Sequence, residues 1–164
     1  QLEALDTRGL RVEKFKRATW GNKLESYFLS RKSLLDKVIY SLIQTRDVGV
    51  ANELYFRIQN REQSFDELAR QYSQGSEART GGLLGPMELG KISSNLAQML
   101  YISQTGQLWP PTRLGEWIVI VRLEKLIPAV LDEAMRQKLL NELFERWLQE
   151  QLVELTNSGL ISLN

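Results

Sequence analysis

Ser64-Phe65-Asp66-Glu67-Leu68-Ala69-Arg70-Gln71-Tyr72-Ser73 and, shortly after it, Gly81-Gly82-Leu83-Leu84-Gly85 form the most informative stretch of this chain. Ser64 and Glu67 stand at the spacing of a capping box, in which the Ser oxygen takes the Glu backbone N–H and opens a helix. Leu68, Ala69 and Tyr72 then supply that short helix with an apolar side. Gly75, Gly81, Gly82 and Gly85 break the pattern, so residues 75–85 are expected to be loop or irregular strand. Upstream, Lys37-Val38-Ile39-Tyr40-Ser41-Leu42-Ile43-Gln44 is β-branched and aromatic enough for a strand. Residues 47–60 place Val50, Leu54 and Ile58 at helical spacing. Downstream, a third short helix is expected from Ser93 or Ser94 to about Tyr101. Gln107-Leu108-Trp109, the pair Pro110-Pro111 and a closing strand Glu116-Trp117-Ile118-Val119-Ile120-Val121-Arg122-Leu123 follow. The order strand, helix, helix, loop, helix, strand, strand argues an α+β fold.

Both flanks read as helical. Leu10, Val12, Phe15, Trp20, Leu24, Tyr27 and Phe28 recur at spacings of three to five, with a weak point at Gly21. At the other end Asp132 is an N-cap candidate, and Met135, Leu139, Leu143, Phe144, Trp147, Leu148 and Leu152 keep one apolar face until Asn157-Ser158-Gly159. Residues 1–47 carry 10 basic and 6 acidic side chains, and residues 131–164 carry 3 and 6. Opposite charge on two amphipathic ends favours their packing together, with the balanced middle as a separate lobe. A homodimer through the Met135 to Leu152 face is possible but not predicted, because a heptad repeat this short favours a partner within the chain.

The 164 residues include neither His nor Cys, and 21 basic against 20 acidic side chains leave a net charge of +1. That excludes Ser-His and Cys-His nucleophile pairs, Cys/His zinc sites and disulfides. No phosphate-binding glycine loop or calcium loop is present, so no metal and no cofactor is expected. A near-zero net charge without basic runs speaks against nucleic acid, and no apolar run is long enough for a membrane span. The chain starts at Gln1 rather than Met, as an excised or processed piece would, and its compartment is not legible.

Residues 37–127 taken as one unit show an ordered set: the stretch quoted first, then Gly106, Pro111-Thr112-Arg113-Leu114-Gly115 and the strand Trp117 to Val121. This set resembles the parvulin (rotamase) family of peptidyl-prolyl cis-trans isomerases. The resemblance implies a four-stranded, mostly antiparallel sheet flanked by helices. The terminal segments resemble the helical lobe of the family's bacterial chaperone-foldases, which implies residues 1–36 and 128–164 as two halves of one lobe around a domain at 37–127.

In that family the site is built around two histidines at the centre of the sheet and a nearby Asp or Cys. The resemblance places these on Tyr40, Trp117 and Gly75, so the polar cluster is expected to be lost. Its proline-slot positions fall on Leu84, Ile92, Leu96, Tyr101 and Leu114, and the Thr before the last strand is kept as Thr112. The Tyr40 hydroxyl is the candidate to replace an imidazole and to pair with Thr112. Both Tyr40 and Trp117 are equally the kind of residue a core would use. The loop after the first strand shrinks to Thr45-Arg46-Asp47, which argues against phosphate selectivity. The implied activity is isomerase or foldase action, weak or restricted, on unfolded or extended Pro-containing polypeptides. The alternative is an inactive parvulin fold that serves as a chaperone or binding module.

Overall fold

The computed structural model describes residues 2–159. Its elements, in chain order, are α1 (Leu2–Trp20), α2 (Leu24–Leu35), β1 (Lys37–Thr45), α3 (Val48–Gln59), α4 (Phe65–Tyr72), β2 (Leu83–Glu88), α5 (Ser94–Ile102), β3 (Thr112–Leu114), β4 (Trp117–Ile127) and α6 (Glu133–Asn157). Contacts group the chain into a central unit, Lys32–Ala129, and a second unit made of the residues up to Arg31 with those from Val130 on.

The central unit is a four-stranded sheet in the order β2-β1-β4-β3, with every neighbouring pair antiparallel. Side chains alternate across a strand, so β1 sends Val38, Tyr40 and Leu42 to one face and Ile43 to the other. The first face packs on Leu96, Met99 and Leu100 of α5, together with Val119, Val121 and Leu123 of β4. The second face packs Ile43 and Ile120 on Leu54 and Ile58 of α3 and on Phe65, Leu68 and Ala69 of α4. The expected cap forms, with Ser64 Oγ accepting from Glu67 N at 3.1 Å, and Asp47 caps α3 in the same way, its Oδ1 accepting from Val50 N at 3.1 Å. The glycine-rich segment resolves into a 3-10 turn, Ser76–Thr80, and the strand β2.

In the terminal unit, α1 and α6 meet through Phe15, Trp20, Phe144 and Trp147, with ring centroids 5.2–6.5 Å apart. Edge-to-face and tilted pairs of this kind add about 0.5–1.5 kcal/mol each beyond burial. Lys16 is 9% exposed, donates to Asn141 Oδ1 at 2.7 Å and lies over the Phe144 ring. Arg31 pairs with Glu142, and Arg17 pairs with Glu133 at 3.1 Å. The exposed Arg17 pair is worth at most about 1 kcal/mol, so the aromatic contacts carry the pairing and the charges set its register. Leu139 and Leu140 are buried, and Phe144 and Trp147 are engaged by α1. The middle of the apolar face considered for a second subunit is therefore used inside the chain.

Candidate functional site

The register across the sheet defines the site. Gln44 of β1 faces Val119 of β4, and Val119 faces Thr112 of β3, so these three residues form one row. Their side chains share the face that carries Tyr40, Leu42, Val121 and α5, which gives the row an apolar floor.

At the Gln44 end of the row stands a buried acid that the sequence did not advertise. Glu77 is 5% exposed. Its Oε1 accepts from Ser73 Oγ at 2.5 Å and from Gly75 N at 3.2 Å, and its Oε2 accepts from Gln44 Nε2 at 3.1 Å. Glu77 is held there by the turn that contains it: Gly82 N donates to the Glu77 carbonyl at 2.8 Å, and Ala78 N donates to Gly75 O at 3.2 Å. A Cβ built on Gly75 would run into the Gln44 amide and both Glu77 carboxylate oxygens. The space a side chain at position 75 would take is already filled by these two groups. Positions 40, 75 and 117 carry no histidine, aspartate or cysteine, and the carboxylate beside Gly75 comes from position 77. The signal that could have pointed to Glu77 was an acidic residue two positions from a glycine that stands where a polar side chain was expected.

Tyr40, Gly75, Thr112 and Trp117 stand at different levels of the sheet, though the Tyr40 hydroxyl lies within electrostatic reach of Glu77, whose carboxylate fills the space at Gly75. Tyr40 is level with Leu84 and Leu123 and lies four residues along β1 from Gln44, roughly 13 Å. Trp117 is level with Leu114 and six residues along β4 from Leu123, roughly 20 Å from the level of Tyr40. The expected Tyr40–Thr112 hydrogen bond is not formed. β4 separates the two strands, and the Thr112 hydroxyl donates instead to the Pro110 carbonyl at 2.8 Å. Gly75 and Thr112 do border the Gln44 row.

Tyr40 is 4% exposed. No described residue hydrogen-bonds its hydroxyl, and the only sealed polar atom without a partner among the described residues is Glu13 Oε2, so the Tyr40 oxygen touches open space. Burial pushes this hydroxyl above the ordinary tyrosine value, and the nearby Glu77 charge pushes it the same way. Trp117 is half-buried with the Arg46 guanidinium 4.7 Å above its ring, and Arg46 also pairs with Glu116 at 3.6 Å.

The expected slot residues divide. Leu96 is buried in the floor, and Leu84, Ile92, Leu114 and Trp117 pack half-buried around it. Tyr101 is 58% exposed and points away from the floor. With Ile92 it lines a separate groove of about 460 Å³ beside α5, together with Leu34, Leu89 and Ala97.

The family described as Rotamase, PPIC-type PPIASE domain, matches residues 49–125, a span that begins just after β1. No curated protein matches the sequence. Among solved structures, the peptidylprolyl isomerase PrsA of Bacillus anthracis is 22% identical over 93% of this chain and 70% of its own, with a TM-score of 0.55. The parvulin domain of PpiD from E. coli is 27% identical over 60% of this chain and 95% of its own, with a TM-score of 0.50. One of two SurA-like chaperones of Campylobacter jejuni is 15% identical over 99% of this chain and 74% of its own, with a TM-score of 0.52. The first and third likenesses are likenesses of fold, and they extend over the terminal helices as well.

Proposed function

We propose that this chain, which carries a parvulin-type rotamase domain, acts as a peptidyl-prolyl isomerase and foldase on extended Pro-containing polypeptide, at the row Gln44, Val119 and Thr112. The observation that carries this reading is a fixed side-chain amide and a buried acid set at the edge of an apolar floor. Rotation about an Xaa-Pro bond crosses roughly 18–20 kcal/mol because the C–N bond has double-bond character, and no covalent bond changes. A catalyst must therefore hold the proline and favour the twisted amide over the planar one. Leu84, Leu96, Leu114 and Trp117 supply apolar surface for the ring. Twisting breaks the resonance, returns the lone pair to nitrogen and lowers the negative charge on the carbonyl oxygen. A donor near the nitrogen stabilises that state, and Gln44 has an N–H beyond the one that binds Glu77. The family's imidazoles are not required for this chemistry.

Exchange spectroscopy on a panel of Xaa-Pro peptides tests the proposal, comparing wild type with Gln44→Ala. Acceleration of cis/trans exchange that falls in the variant is expected. Exchange at the uncatalysed rate on every peptide sinks the isomerase reading and leaves the holding function. That second reading draws on the exposed apolar side chains of Leu83, Met87, Tyr101 and Ile102 in the central unit.

A further inference from the structure

Glu77 is buried, yet no cation pairs with it among the described residues; all its donors are neutral. A carboxylate removed from water without a counter-charge is costly, and three neutral donors meet only part of that cost. Fixing a loop does not need a charge, because a neutral acceptor such as an amide would tie Gly75 N and Ser73 Oγ more cheaply. The charge itself must then do something at the row it borders.

We propose that Glu77 is the acid of this site, a positioning residue that supplies from position 77 the charge that the family resemblance reserves for position 75. Three features of the geometry agree. Gly75 lacks a side chain where the Glu77 carboxylate needs the room. A carboxylate only accepts, so the Gln44 NH2 must face Glu77; this fixes the rotamer and leaves the amide's second N–H for a bound substrate. The Glu77 charge also acts on Tyr40, the hydroxyl that opens onto the same face. A negative charge beside the bound amide opposes the partial charge on the planar carbonyl oxygen more than it opposes the twisted form. Acceleration follows from that difference.

This inference rests on the isomerase reading, and the test separates the two. Exchange rates are measured per folded protein for wild type, Glu77→Gln and the swap Gly75→Asp/Glu77→Ala. Titration of Tyr40 is followed by NMR on protein carrying labelled tyrosine. Glu77→Gln is expected to slow catalysed exchange roughly tenfold, about the loss of one hydrogen bond to a charged group. The Tyr40 midpoint is expected to fall in the same variant. The swap is expected to recover part of the acceleration: it restores an acid in the volume of the Glu77 carboxylate, and the Gln44 amide, which the new Cβ also meets, must turn to bond it. Wild-type exchange in Glu77→Gln overturns the role of Glu77 while the isomerase reading stands. An inactive wild type overturns both. If Glu77→Gln does not fold, the swap decides: recovered exchange supports the proposal, and its absence in a folded swap overturns it.

Discussion

Gly75→Ala adds one methyl group and should be destabilising for a reason the backbone does not supply. Gly75 has φ −102° and ψ −179°, extended backbone that alanine adopts without strain. On backbone grounds alone the change would stabilise the fold by about 0.4–1 kcal/mol, by restricting the unfolded chain. The new Cβ, however, falls on the Gln44 amide and the Glu77 carboxylate, so one of them must leave. The Gln44–Glu77 hydrogen bond goes with it, and a hydrogen bond to a charged group is worth about 1.5–3 kcal/mol. The net expected loss is about 0.5–2.6 kcal/mol, a fall in melting temperature of roughly 1–10 °C for a chain of this size.

The same substitution in a Glu77→Ala background should change sign. With the carboxylate gone, the Gln44 amide is no longer tethered and can swing aside, and only the stabilising effect on the unfolded chain remains, about 0.4–1 kcal/mol. Urea unfolding of the four proteins of this cycle, followed by circular dichroism at neutral pH, reads both numbers. If Gly75→Ala unfolds at or above the wild-type midpoint, or costs the same in both backgrounds, position 75 and Glu77 do not compete for one space.

Two further outcomes follow from buried polar groups in the central unit. Asp36 is 6% exposed, and its carboxylate accepts from Ala129 N at 2.7 Å and from Lys32 Nζ at 2.9 Å. Asp36→Ala should cost about 1.5–3 kcal/mol in urea unfolding, because a backbone donor loses its charged acceptor. Tyr40 titrates above its unfolded value, so its contribution is intact below about pH 10 and is lost as pH rises through the folded value. Urea midpoints measured from pH 9 to pH 11 should fall less steeply for Tyr40→Phe than for wild type, and parallel curves would refute the assignment.

Local chemistry made the helices legible. Ser64 and Asp132 cap the helices their positions announce, and the apolar spacings of α3 and α4 match their buried faces, whereas in α6 only Leu139 of the expected face is buried, beside Leu140, and Leu152 is exposed. Two of the four strands were not legible from propensity. β2 runs through Gly85 and Pro86, residues that argue against a central strand, and it survives because it lies at the sheet edge, where a missing backbone donor is tolerated. β3 has three residues, too few for any alternation to show, and is held by its register with β4.

The site was harder to read because its members are set by pairing between strands rather than by spacing along one. β1 lies outside the stretch that matches the family, so nothing in the local sequence distinguishes Tyr40 from Gln44 as the residue at the centre. The sheet does distinguish them. Gln44 is level with Val119 and Thr112 and touches the space at Gly75, while Tyr40 is level with Leu123, four residues away. Position 75 misleads for a related reason. A glycine there reads as a lost functional group when side chains are compared one by one. In three dimensions its bareness is the condition for the turn at residues 76–80 to bring a longer acid into the same volume. Glutamate is one methylene longer than aspartate, and that reach lets residue 77 present a carboxylate beside position 75. On this proposal a bare position 75 and the Glu77 carboxylate form one arrangement, so a side chain at position 75 should cost less once Glu77 is removed.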